Sequence, residues 1–216
     1  MTLTTDPTTT AADAVATVPT AVASTTAVPK PEYPRPDLDR SARWATLNGE
    51  WDFTSVDGAS TILVPFAWET PASGVGRTWL ESAVYARSIE VPEEWTGSRV
   101  VLSFGAVWHR ADVRIDGATV GEHVGGYTSF EFDITDHVRP GVPARLEVAV
   151  EAPADKRAIV HGKQRSIPRD DYDGVSFTPT SGIWQSVWLE ARGRTFASVV
   201  ELRGDSRTGI DVAVTF

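Results

Sequence analysis

Hydrophobic and polar residues alternate with a period of two along most of this chain, the spacing that puts successive side chains on opposite faces of a strand. Trp51 and Phe53 alternate with Glu50, Asp52 and Thr54, after a turn at Asn48-Gly49. Residues 84–91 alternate and stop at Pro92, and residues 61–64 form a short apolar run stopped by Pro65. Residues 99–104 are a β-branched run. Residues 107–115 follow, and Asp116-Gly117 opens a tight hairpin into residues 119–124. Phe130, Phe132 and Ile134 alternate with Glu131 and Asp133, and Leu146, Val148 and Val150 alternate with Glu147 and Ala149. Val187 and Leu189 share one face of residues 186–190. No stretch carries a long amphipathic helix; residues 136–138 make at most one turn.

Many short alternating strands separated by Gly, Pro and Asp turns predict an all-β fold, a sandwich of two antiparallel sheets of Greek-key or jelly-roll type. The organised stretch is residues 38–194. A further hairpin is expected over residues 195–216, with Val199, Val200 and Leu202 on one strand and Ile210, Val212 and Val214 on the other. Two strands do not make a stable domain alone, so this hairpin reads as the start of a second, truncated module. Residues 1–37 read as a tail. Residues 2–28 hold ten Thr and seven Ala with no aromatic and no Lys or Arg, too little apolar surface to offset chain entropy. Pro29, Pro31, Pro34 and Pro36 then make a stiff lead into the domain.

Composition narrows the chemistry. Asp and Glu number 29 against 20 Lys and Arg, for a net charge of −9, and no basic block is dense enough to follow a phosphate backbone; nucleic acid is not an expected partner. Cysteine is absent from the 216 residues, which excludes disulfides, thiol catalysis and the usual structural zinc site. No apolar run approaches the ~20 residues of a membrane span, so no membrane partner is expected and the default location is cytoplasmic. The organised stretch is too short for a (β/α)₈ barrel, which needs ~250 residues. His109, His123, His137 and His161 lack metal-ligand spacing, and neither a metal nor a cofactor is expected.

Four motifs stand in order along the chain. Asn48-Gly49-Glu50-Trp51-Asp52-Phe53 opens the domain, and Tyr85-Ala86-Arg87 precedes Val91-Pro92. Phe104-Gly105, the Asp116-Gly117 hairpin, Gly121-Glu122-His123-Val124-Gly125-Gly126-Tyr127 and Phe130-Glu131-Phe132-Asp133-Ile134-Thr135 form a continuous block. Ser181-Gly182-Ile183-Trp184-Gln185-Ser186-Val187-Trp188-Leu189 closes the series. Together they resemble the N-terminal sugar-binding domain of glycoside hydrolase family 2, the β-galactosidase and β-glucuronidase group, over residues 43–191.

The resemblance implies a jelly-roll, galactose-binding-like sandwich, followed by the first hairpin of an immunoglobulin-like domain. It also implies the sugar-binding portion of an enzyme that hydrolyses O-glycosidic bonds in carbohydrate metabolism. The family's catalytic glutamates belong to a downstream barrel, so no catalytic residue is expected here and the chain alone should be inactive. Its implied partners are a carbohydrate substrate and the downstream immunoglobulin-like and barrel domains of the intact enzyme. A stand-alone carbohydrate-binding module or a structural interaction sandwich is the alternative.

Sugars stack their C–H faces on aromatic rings and bond planar polar groups. Trp68 and Trp79, in a loop with Glu69 and Arg77, either close the sandwich end or offer ring faces to a sugar. Tyr127, after two glycines, is a further candidate; Trp95, Trp108, Phe177 and Trp184 are other available rings. In the family an Asp six residues before the Gly of the Ser-Gly-Ile motif helps to hold the sugar. That position here is Ser176, and Asp171 and Asp173 in the same loop are the carboxylates available to replace it.

Overall fold

The computed structural model describes residues 27–35, 43–169, 171, 174–197, 199–205 and 209–216. Its strands are β1 (Trp44–Thr46), β2 (Gly49–Ser55), β3 (Gly58–Val64), β4 (Ser82–Ile89), β5 (Arg99–Phe104), β6 (Val107–Trp108) and β7 (Arg110–Ile115). They continue as β8 (Ala118–Val124), β9 (Phe130–Asp133), β10 (Ala144–Glu151), β11 (Gly182–Ile183), β12 (Val187–Arg192), β13 (Val199–Asp205) and β14 (Gly209–Thr215). A six-stranded sheet, ordered β3-β2-β4-β10-β7-β8, faces a four-stranded sheet ordered β1-β12-β5-β9. Every pairing between the strands is antiparallel. This is the two-sheet sandwich that the alternation predicts.

Both sheets feed one core. Trp51, Phe53, Leu146, Val148, Val150, Val113 and Ile115 point inward from the six-stranded sheet, against Leu102, Phe104, Val187 and Leu189 from the other. The polar residues between them on β2 and β10 face outward, as a period of two requires. The Asp116-Gly117 turn joins β7 to β8 and is stitched sideways to β10, because Asp116 Oδ1 accepts from the Arg145 amide at 2.8 Å.

The structure departs from the pattern in three places. Residues 107–115 are two strands: β6 pairs with β11, while β7 lies between β10 and β8. A continuous apolar run does not record where a strand changes partner. Second, β12 is buried on both faces, although its alternation suggests one wet side. Third, residues 29–35 lie against that outward face of β12, where tail-like composition suggests no packing: Tyr33 Oη donates to Glu190 Oε1 at 2.9 Å. Prolines lower the entropy lost on docking, so a few side-chain contacts are enough to hold such a segment. The hairpin β13–β14 forms in the expected region, with Val200 opposite Val214 and both faces exposed.

Candidate functional site

Three segments meet at one end of the sandwich: the glycine corner after β8, residues 161–164, and residues 177–184. Close backbone packing sets the first. A Cβ on Gly126 would lie 1.7 Å from Trp108 Cδ1, so only glycine lets the corner press on that buried indole and turn Tyr127 outward. Gly182 plays the same part in the third segment. It has φ +80°, and a Cβ there would lie 2.0 Å from Tyr85 Oη. Pairing of Gly182 with Trp108 brings the third segment beside the corner. The remaining segment is laced to the third by Arg165 N to Phe177 O at 3.0 Å and Phe177 N to Lys163 O at 2.7 Å.

Between them lies an open cleft of about 430 Å³, within the range of small-molecule sites. Tyr127, Phe177 and Trp184 supply its rings, with Tyr127 and Phe177 48% and 59% exposed. Tyr127 and Trp184 meet edge to face at 6.2 Å. Gln164, buried, ties the walls together: its Nε2 donates to Tyr127 Oη at 2.9 Å and its Oε1 accepts from Thr180 N at 3.1 Å. Trp184 Nε1 donates to Gly126 O at 2.9 Å, which fixes the indole plane. Fixed aromatic faces beside an amide and the His161 imidazole can take a ligand with apolar C–H faces and hydroxyl edges. An adjoining cleft of about 360 Å³ shares His161 and Gln164 and adds Arg165, Arg169 and Ser176.

Of the residues singled out in the sequence, Tyr127 lines the aromatic cleft and Ser176 the adjoining one. Trp68 is corrected: it is fully buried, packed on Phe53 at 6.1 Å and Tyr85 at 6.5 Å, and has no ring face for a ligand. Trp79 is half-buried at φ +58° and does not line the aromatic cleft. Asp171 is exposed, 3.7 Å from Arg169 Nε, an ion pair open to solvent. Asp173 lies outside the described residues. Phe177 and Trp184 were visible as rings, but Gln164 gave no sequence signal, since its role depends on two segments that meet only in the fold. Among the described residues, no group of three or more His, Asp or Glu is placed to hold a metal ion.

Beneath the cleft a set of ionisable groups is packed into the sandwich end. Glu69 Oε2 accepts from Ser181 N at 2.9 Å, fixing the residue before Gly182. Burial pushes the Glu69 carboxyl up, partly offset by that bond and by Lys156. Burial lowers the Lys156 ammonium to about 8 against the pull of Glu69 and Glu81. Tyr85, wholly buried, is pushed far up by desolvation. His109 and His123, neighbours across the β7–β8 hairpin, are both lowered, chiefly by burial.

An antiparallel jelly-roll sandwich with an aromatic cleft at one end is the class of domain that these features define. Residues 43–192 match the model of a family described as "Glycosyl hydrolases family 2, sugar binding domain". The chain belongs to that family, and this stretch is its N-terminal sugar-binding domain. It is 32% identical over 135 residues to the beta-galactosidase of Thermoanaerobacter pseudethanolicus, covering 61% of this chain and 17% of that protein. To human beta-glucuronidase it is 39% identical over 80 residues, 35% of this chain and 12% of the relative. Among solved structures, the Faecalibacterium prausnitzii beta-glucuronidase aligns at TM-score 0.63 and 22% identity, over 80% of this chain and 35% of that one. An uncultured Clostridium beta-glucuronidase aligns at TM-score 0.62 and 25% identity, over 80% and 33%. The chain thus spans under a fifth of the curated relatives named. No helix among the described residues is long and apolar enough to cross a membrane.

Proposed function

We propose that this chain is the sugar-binding part of a β-glycosidase that cleaves O-glycosidic bonds with retention, and that its aromatic cleft faces the carbohydrate. The observation that carries the reading is the family match over residues 43–192, together with relatives named beta-galactosidase and beta-glucuronidase. Retaining hydrolysis needs two carboxyl groups ~5–5.5 Å apart, one protonated and one ionised. In this reading they come from a downstream barrel, reached through an immunoglobulin-like domain that begins with β13–β14. The 216-residue chain is then inactive alone. The protein would act in the cytoplasm, which cell fractionation tests.

Purified chain, assayed with aryl galactosides and aryl glucuronides, should give no turnover. The longer protein should hydrolyse one of them and lose affinity when Tyr127 is replaced by Ala. Turnover by the 216 residues alone would overturn the proposal. Saturable sugar binding by the chain alone, with no hydrolysis by any longer form, would favour a stand-alone binding module.

A further inference from the structure

The outer face of the four-stranded sheet is covered by the proline-rich segment that precedes β1. Trp188, Glu190 and Arg192 point away from the core on β12, yet all three are buried. Residues 29–35 lie over them. Asn48 Nδ2 donates to the carbonyl oxygens of Pro29 and Lys30 at 3.2 and 3.1 Å. The Tyr33 ring packs on Trp44 at 5.3 Å, and its hydroxyl donates to Glu190 Oε1 at 2.9 Å. The Arg35 guanidinium lies 6.0 Å over the Trp188 ring and 3.8 Å from Glu131 Oε2.

These contacts read a peptide rather than extend a sheet. The segment forms no strand ladder; an amide reads its carbonyls, two indoles take its Tyr and Arg, and two carboxylates select a hydroxyl and a guanidinium. That division of labour is how proline-rich segments are recognised, because a chain with preset φ loses little entropy on docking and exposes its carbonyls. An open cleft of about 390 Å³ beside these contacts is lined by Lys30, Glu32 and Arg35 and by Trp184, Gln185 and Trp188. A segment held by side-chain contacts can leave without breaking a strand pairing.

We propose that this face is a recognition surface for a proline-rich segment carrying Tyr and Arg two residues apart, filled by the chain's own residues 29–35 as a reversible latch. The full 216-residue chain lacks cysteine, so a dye on Val28→Cys reports on the latch alone. Adding Tyr33→Ala and Arg35→Ala, both outside the sandwich, should free the dye and lower its anisotropy. A synthetic peptide of residues 27–35 should then bind this variant saturably. It should bind the parent chain about tenfold more weakly, because the tethered latch competes at high effective concentration. The same peptide with Tyr33→Ala should lose about tenfold in affinity. Equal binding to both chains, or none to the variant, overturns the proposal. Loss of cooperative unfolding in the variant would overturn it too, since the segment would then be a fixed part of the sandwich.

Discussion

Lys156 Nζ sits 3.7 Å from the centroid of the Trp108 ring, inside the sandwich end, and donates to Pro153 O at 2.8 Å. The ammonium is nearly inaccessible to solvent and is compensated by a ring face, a carbonyl and the field of Glu69 and Glu81. Gly126 packs against the same indole.

A pH dependence of stability follows. Lys156 has a folded pKa of about 8 against 10.5 unperturbed, so between those values the unfolded chain binds more protons than the folded one. Stability from this group is flat below pH 8 and rises by about 1–3 kcal/mol towards pH 10.5. The difference in urea midpoint between the parent chain and Lys156→Met should shift in favour of the parent as pH rises across this range.

Gly182→Ala should be among the most damaging substitutions in the domain. The new Cβ meets Tyr85 Oη at 2.0 Å and Trp68 Cε3 at 2.9 Å, on a backbone with positive φ. Overpacking and backbone strain together should cost about 2–5 kcal/mol. Adding Tyr85→Phe removes the nearer clash, so the double variant should be more stable than the sum of the single effects. Strict additivity in thermal unfolding would contradict this account.

The Glu190 carboxylate is fully buried, with Arg192 Nε and Nη2 at 3.1 and 3.0 Å and Trp188 Nε1 at 2.7 Å. Removing the cation by Arg192→Met strands that charge and should destabilise the domain by about 3–5 kcal/mol. Glu131 faces Arg192 as well, and its carboxyl is held below the ordinary range mainly by that hydrogen bond. Stability from Glu131 is therefore present above pH 4.5 and fades as pH falls through its lowered folded pKa. Acid titration of Arg192→Met should lack this component.

Gln164→Ala removes the two bonds that its side chain makes to the cleft walls, to Tyr127 Oη and Thr180 N, and loosens Tyr127. If the chain belongs to the longer glycosidase proposed above, ligand affinity of that enzyme should fall about three- to tenfold, with little change in kcat. Tyr127→Phe, which keeps the ring but not the hydroxyl, should show a similar loss. An effect confined to kcat would place Gln164 in the chemistry instead.

The alternation of Trp51 and Phe53, of Leu146, Val148 and Val150, and of Val187 and Leu189 determined the strands and their inward faces, because a period of two is local geometry. The glycine motifs likewise mark the family and the corners. Trp68 shows where that reading ends. A tryptophan in a loop looks the same whether it meets solvent or Phe53 and Tyr85, since burial is set by segments distant in sequence. Gln164, Phe177 and Tyr127 form one cleft only because β11 pairs with β6 and draws residues 177–184 against the corner. Glu190 has a partner in Tyr33 only because the proline-rich segment folds back across β12. Sequence determined most of the strands and which way each alternating side chain points. Tertiary structure alone decided which loops meet and which second faces are covered, because those depend on contacts that no local period encodes.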